Sequence, residues 1–268
     1  MNGKIFAVTN KKGGVGKTTT CEQLVDIASN QKYGFGLKVL GISIDPQGNW
    51  DNSLGIENGK SGIYDFIVND MDSRIQISDT LDFITCSGAT AIKVGLEQSK
   101  EPFAELRFSR NLSLIAGDYD LIVIDCPPDE NYLNNCVYAA ADGLIVPVTT
   151  DRFSLEGILE LADCVKYVQP LNPNLHMEGI LITKVKRNTL VEKEAEQDAA
   201  QCAVHLKTKV FKNTISLSTI VEKAQREYKP LMQYAPSAKI TREYRAFVTE
   251  LLEGEECVCR GSFSAKAD

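Results

Sequence analysis

The sequence predicts an α/β protein, a mostly parallel sheet covered by helices on both faces. Three observations lead there. Strand-like and helix-like segments alternate along the chain, as βαβ units require. The strand segments are continuously apolar, as expected of strands covered on both sides. A glycine-rich turn joins the first strand to the first helix, and in such sheets ligands bind beyond the C-terminal ends of the strands.

Each element follows from its residues. "KIFAVT" (4–9) is short, apolar and rich in β-formers, so it reads as a buried strand. "TTTCEQLVDIASN" (18–30) has helical spacing. "KVLGISID" (38–45) is a second strand, "GIYDFIVND" (62–70) a short helix and "LDFITC" (81–86) a third strand. Residues 87–117 are ambiguous, although 101–117 contain a helix. "YDLIVIDCPP" (119–128) is the clearest strand; it ends at an acid and two prolines stop it. "DGLIVPVTT" (142–150) is another strand, and "SLEGILELADCVKYVQ" (154–169) is an amphipathic helix. "MEGILITKV" (177–185) reads as a strand. Helices follow at 189–206 and 240–253.

The 268 residues suffice for one large domain with its own core, and no Gly, Pro or Ser-rich linker divides them. One domain is predicted over 1–253. Residues 254–268 lack periodicity and are expected to be a frayed or disordered tail. No apolar run approaches the roughly 20 residues of a membrane span, and the N-terminus turns polar too soon for a signal peptide. The expected location is the cytoplasm. Eight cysteines, mostly inside apolar runs, read as buried reduced thiols. A formal charge of −7 argues against a wholly basic surface but leaves room for a local basic patch.

The chemistry gathers in "NKKGGVGKTTT" (10–20). Gly16, Lys17 and Thr18 fit the end of the phosphate-loop pattern G-x-x-x-x-G-K-[ST], yet Lys11 stands where the first glycine belongs and Lys12 follows. Gly13, Gly14 and Gly16 let backbone N–H groups turn toward phosphate oxygens. The helix starting near Lys17 points its positive end at the same anion. Lys17 is expected to reach the β- and γ-phosphates and the Thr18 hydroxyl to ligate Mg²⁺. Asp125, an acid ending an apolar strand, fits a Walker B ligand for that ion. Asp45, in "IDPQGN", reads either as an Asx-turn acceptor or as the acid that holds the attacking water or a metal-bound water. The candidate ATP cradle is Gly13, Gly14, Val15, Gly16, Lys17, Thr18 and Thr19, with Lys17 and Asp45 catalytic and Thr18, Asp45 and Asp125 on the metal.

"KGGVGKTT", "DPQGN" and "YDLIVIDCPP", in that order, resemble the ParA/MinD family of deviant Walker A ATPases, and within it the ParA (Soj-like) partition branch. "DGLIVPV", "SLEGI", "EGILIT" and "KPLMQYAPSAKITREYRAF" extend the likeness over roughly residues 3–252. The resemblance implies that Lys12 joins that ATP cradle as a further catalytic residue, reaching across an ATP-bridged homodimer to the partner's nucleotide. It further implies slow Mg²⁺-dependent hydrolysis stimulated by a ParB-type protein, and dimer binding to DNA without sequence preference, at the nucleoid.

Two positions depart from that pattern. Ser43 stands where relatives usually carry an acid, which lowers the expected metal affinity or turnover. Ile220 and Ser216 stand where a family arginine and proline are expected. The remaining basic residues are either solvated faces or contacts to DNA phosphate: Lys184, Lys186 and Arg187, then Lys207, Lys209 and Lys212, then Arg226, Lys229, Lys239, Arg242 and Arg245. The last helix runs into "LLEGEE", so acid follows its apolar end, and no membrane anchor is expected. Two functions stay open: a DNA-binding partition ATPase, and a nucleotide-gated positioning factor for a protein cargo. An iron–sulfur ATPase would need paired cluster cysteines, which the Cys126 to Cys136 spacing does not resemble.

Overall fold

The computed structural model describes residues 3–56, 62–89, 106–128, 132–150, 155–186 and 190–254. β1 (Lys4–Val8) leads to α1 (Lys17–Ser29), β2 (Val39–Ser43), α2 (Asn49–Ser53), α3 (Ile63–Val68), β3 (Ile75–Ser78) and β4 (Leu81–Ile84). Then come α4 (Leu106–Ile115), β5 (Leu121–Asp125), α5 (Tyr132–Tyr138), β6 (Gly143–Thr149), α6 (Leu155–Val168), β7 (His176–Thr183) and α7 (Leu190–His205). The chain continues through α8 (Thr219–Arg226), α9 (Leu231–Tyr234) and α10 (Lys239–Gly254).

The described strands form one sheet in the order β3-β4-β2-β5-β1-β6-β7. All neighbours pair in parallel except β3 and β4. β1 therefore lies inside the sheet, between β5 and β6, and delivers its following loop to the middle of the C-terminal rim. Register completes the placement: Asp125 sits beside Val8 on one side and beside Ser43 on the other.

Alternate residues of each strand feed two apolar clusters, because side chains on a strand point to opposite faces. One face buries Ile42, Ile124 and Leu144 with Phe108, Val137 and Leu161 from the helices that cover it. The other buries Val8, Val123 and Phe83 with Leu24 of α1, Trp50 of α2 and Phe247 of α10. Gly41 makes room for this second layer. A Cβ there would stand 2.9 Å from the Phe83 ring and 3.1 Å from the Trp50 ring. Those rings meet edge to face at 5.0 Å, which presses α2 onto β2 and fixes the turn between them.

The parallel, doubly covered sheet matches the expectation, and the strands at 4–9, 38–45, 81–86, 119–128, 142–150 and 177–185 are present. The 81–86 strand is the fourth, because β3 precedes it. β3 ("IQIS") is mostly exposed and pairs only at the sheet edge, so it has no apolar run to betray it. α2, α5, α8 and α9 were not anticipated either. Of the helix expected within 101–117, residues 106–115 are observed and 101–105 lie outside the described residues, as does the tail from 255. Among the described residues no helix is long and apolar enough to cross a membrane. The described cysteines are free thiols, all buried except Cys164, which is half-buried.

Candidate nucleotide-binding site

The loop between β1 and α1 is tied down on both sides. Asn10 donates to the Pro147 carbonyl at 2.7 Å and accepts the Lys12 N–H at 2.9 Å. Val15 is buried, and its carbonyl takes the Thr183 hydroxyl at 2.7 Å; the same hydroxyl lies 3.0 Å from the Val148 carbonyl. The ends of β6 and β7 thus hold the loop from beneath. Gly14 (φ 73°) and Gly16 (φ 91°) adopt the left-handed conformation that side chains disfavour. Above Gly13 and Gly14 nothing lies within 4 Å of where a Cβ would stand, so the loop presents an open backbone cradle.

Lys17 begins α1 and is only 6% exposed. Its ammonium donates to the Lys12 carbonyl at 3.0 Å. Burial pulls its pKa below the usual lysine value, while Asp125 and Asp45 pull it back up. Thr18 donates its hydroxyl to Asp125 Oδ2 at 2.7 Å, joining the two expected metal ligands. Asp125 is 1% exposed, and its Oδ1 is buried without a hydrogen-bond partner. Burial lifts its pKa to about 7, helped by the Asp45 charge and opposed by the Thr18 hydrogen bond and by Lys17. A buried carboxylate oxygen with no donor is costly unless a cation or ordered water completes it. The cradle, the buried ammonium and this acid fit a phosphate chain with Mg²⁺: Thr18 and Asp125 would hold the ion, directly or through water.

Asp45 performs the turn role. Its Oδ1 accepts the Gln47 N–H at 2.9 Å, and its carbonyl accepts Gly48 N–H at 3.0 Å, an Asx-turn that starts α2. It also borders the same cavity as Gly13, Lys17 and Thr19, so the turn fixes the carboxylate at the rim. Ser43 is fully buried on the face of β2 that carries Asp125 on β5, and its hydroxyl lacks a hydrogen-bond partner. Close to it in sequence, but on α2, lies an acid that sequence reasoning missed. Asp51 is 2% exposed, and its Oδ2 accepts the Cys86 N–H at 2.9 Å. Burial raises its pKa. Nothing local signalled this, because the donor lies 35 residues away. Thr183 was missed too, although a hydroxyl ending an apolar strand on this rim was a usable signal.

The basic residues scatter. Lys184 and Arg226 line the phosphate-loop cavity, whose volume is about 740 Å³. Lys229 pairs with Glu227, Lys239 with Glu243 and Lys209 with Glu178. Arg242 and Arg245 are exposed on α10, with Arg242 donating to the Ser237 carbonyl. Lys186 is exposed, and Arg187 lies outside the described residues. Lys11, which stands where the first glycine of the loop pattern belongs, pairs with Glu160 at 3.2 Å, and its side chain is 18% exposed. Lys12 is half-buried.

The comparisons agree with one another. A family model described as an AAA domain matches residues 3–177. The sporulation initiation inhibitor protein Soj of Bacillus subtilis (strain 168) is 33% identical over 255 residues, covering 93% of this chain and 98% of the relative. The chromosome partitioning protein ParA of Myxococcus xanthus (strain DK1622) is 32% identical over 258 residues, covering 94% and 88%. Among solved structures, the cobyrinic acid a,c-diamide synthase of Mycobacterium smegmatis with bound ADP and magnesium superposes with a TM-score of 0.78. At 24% identity, over 94% of each chain, that likeness speaks for the fold alone.

Proposed function

The chain belongs to the ParA/Soj family of partition ATPases, and from that premise we propose that it is an ATP-driven dimer switch that binds DNA without sequence preference. Slow hydrolysis, stimulated by a ParB-type partner, resets it. The observation that carries this reading is the open glycine cradle facing a buried Lys17 and the Thr18–Asp125 pair. Backbone N–H groups and Lys17 bind the phosphates. Asp45, fixed by its turn, orients the water that displaces the γ-phosphate, giving ADP and phosphate. When bound, Mg²⁺ neutralises charge on the phosphate oxygens. Lys12 adds a cation to the partner's nucleotide, so a dimer closes only around triphosphate and opens once the γ-phosphate is lost.

A second reading, a positioning factor that handles a protein cargo without DNA, is favoured by one observation. Lys209, Lys229 and Lys239 are paired with acids, which thins the basic surface available to DNA. Binding to random duplex DNA at about 0.1 M salt, where screening acts beyond about 10 Å, separates the two. Binding with ATP and Mg²⁺ but not with ADP is expected of the partition switch. Dimerisation with ATP and no DNA binding in either state would refute it in favour of the second reading.

A further inference from the structure

We propose that Arg226, helped by Lys184, is a nucleotide-binding residue supplied in cis, gripping the polyphosphate of a nucleoside di- or triphosphate in the cavity that the glycine loop also lines. The assignment rests on the nucleotide reading of the same cavity and names its missing wall.

Both cations are aimed by backbone that is fixed elsewhere. Lys184 follows Thr183, whose hydroxyl is spent on the loop carbonyl of Val15. It precedes Val185, whose N–H donates to the Ile215 carbonyl at 3.0 Å and whose carbonyl accepts Leu217 N–H at 3.0 Å. Between those anchors Lys184 takes a φ of 54°, a left-handed conformation uncommon for a residue with a side chain. Such strained positions cluster at ligand sites. Arg226 closes α8, and that helix is clamped. Ala224 is buried, and the Gln225 side chain donates to Glu22 Oε2 on α1 at 3.0 Å. The Lys229 N–H returns to the Ala224 carbonyl at 3.1 Å, and Tyr228 ends the turn at a φ of 52°.

What the two residues face decides the ligand. They share the cavity with Gly13, Lys17 and Thr18. Neither makes an ion pair or side-chain hydrogen bond among the described residues, unlike Lys209, Lys229 and Lys239. Glu222, one turn before Arg226, borders the cavity too, yet the two form no ion pair, although that spacing permits one. An exposed guanidinium with no ion pair among the described residues, on the same cavity as an anion cradle, has the fork geometry that grips phosphate oxygens. Phosphate contact, not contact with the DNA backbone, is the assignment the geometry favours for Arg226.

The test uses the full chain with Mg²⁺ and fluorescent ATP and ADP, comparing Arg226→Ala, Arg226→Lys, Lys184→Ala and Lys17→Ala. A charge-assisted contact predicts that Arg226→Ala weakens nucleotide binding by about tenfold to hundredfold. Arg226→Lys restores part of it, and Lys184→Ala loses several-fold. The salt dependence of DNA binding, measured on nucleotide-saturated protein, is expected to stay at the parent slope. Nucleotide affinity within about twofold of the parent in Arg226→Ala overturns the proposal, as does a DNA salt slope lowered by about one with nucleotide affinity intact. Lys17→Ala separates the two levels. If it too leaves affinity unchanged, the phosphate-loop reading fails; if it abolishes binding while Arg226→Ala does not, only the Arg226 assignment fails.

Discussion

Replacing Glu22 by glutamine is expected to stabilise the protein at neutral pH, with a gain that vanishes in acid. Glu22 lies on α1, where its Oε2 accepts the Gln225 amide and its Oε1 is buried without a partner. Burial lifts its pKa from 4.5 to about 7, opposed by the nearby Ser53 hydroxyl and by the Gln225 hydrogen bond. The sign follows from proton counting. Between those two values the folded protein holds a proton that the unfolded chain has released, so stability falls as pH rises through that window and levels off above it. The span corresponds to about 3 kcal/mol as an upper bound at 1.36 kcal/mol per pH unit. Glutamine keeps an oxygen for Gln225 and never ionises. Urea unfolding of parent and Glu22→Gln should therefore coincide near pH 4.5 and diverge toward pH 8. Up to about 3 kcal/mol is expected there, or about 6–12 °C in Tm for a chain of this size. A difference constant with pH, or one that grows toward acid, would refute the reasoning.

Three further outcomes are expected. Thr183→Val removes the hydroxyl donor of the Val15 carbonyl and should cost about 1–3 kcal/mol in urea unfolding while weakening ATP binding; unchanged stability and affinity would show that β7 does not brace the loop. Asp51→Ala orphans the Cys86 N–H and should lose about 1–3 kcal/mol, whereas Asp51→Asn keeps an acceptor and sheds a buried charge, so it should lose less; equal midpoints for the two variants would argue against that division. Lys12→Ala keeps the backbone carbonyl that receives Lys17, so monomeric ATP binding should stay within a few-fold while light scattering reports loss of the ATP-dependent dimer; a dimer that persists would remove Lys12 from the interface.

The long elements were legible because their signals are local. "YDLIVIDCPP" announces a doubly buried strand ending at an acid, and the strand–glycine loop–helix order announces the cradle. The short elements were not. α2 is five residues long and is held by Trp50 against Phe83 and Gly41, contacts that no window of sequence contains. α8 carries a Ser218 cap, but its placement depends on Glu22, about two hundred residues earlier. Arg226 shows the same limit: it is exposed, as a basic residue in a basic stretch suggests, and the clamp on α8 puts it at the edge of the phosphate-loop cavity.

The bond from Lys17 to the Lys12 carbonyl carries a consequence of its own. An ammonium carries three N–H donors, and this bond uses one of them, so the cation is held toward the loop with two donors left for an arriving phosphate. Part of the side chain's freedom is therefore lost on folding and not again on binding, which favours capture of the ligand. The acceptor is the main chain of Lys12, the residue whose side chain is proposed to reach the other subunit, so one ammonium braces the loop and serves its ligand at the same time.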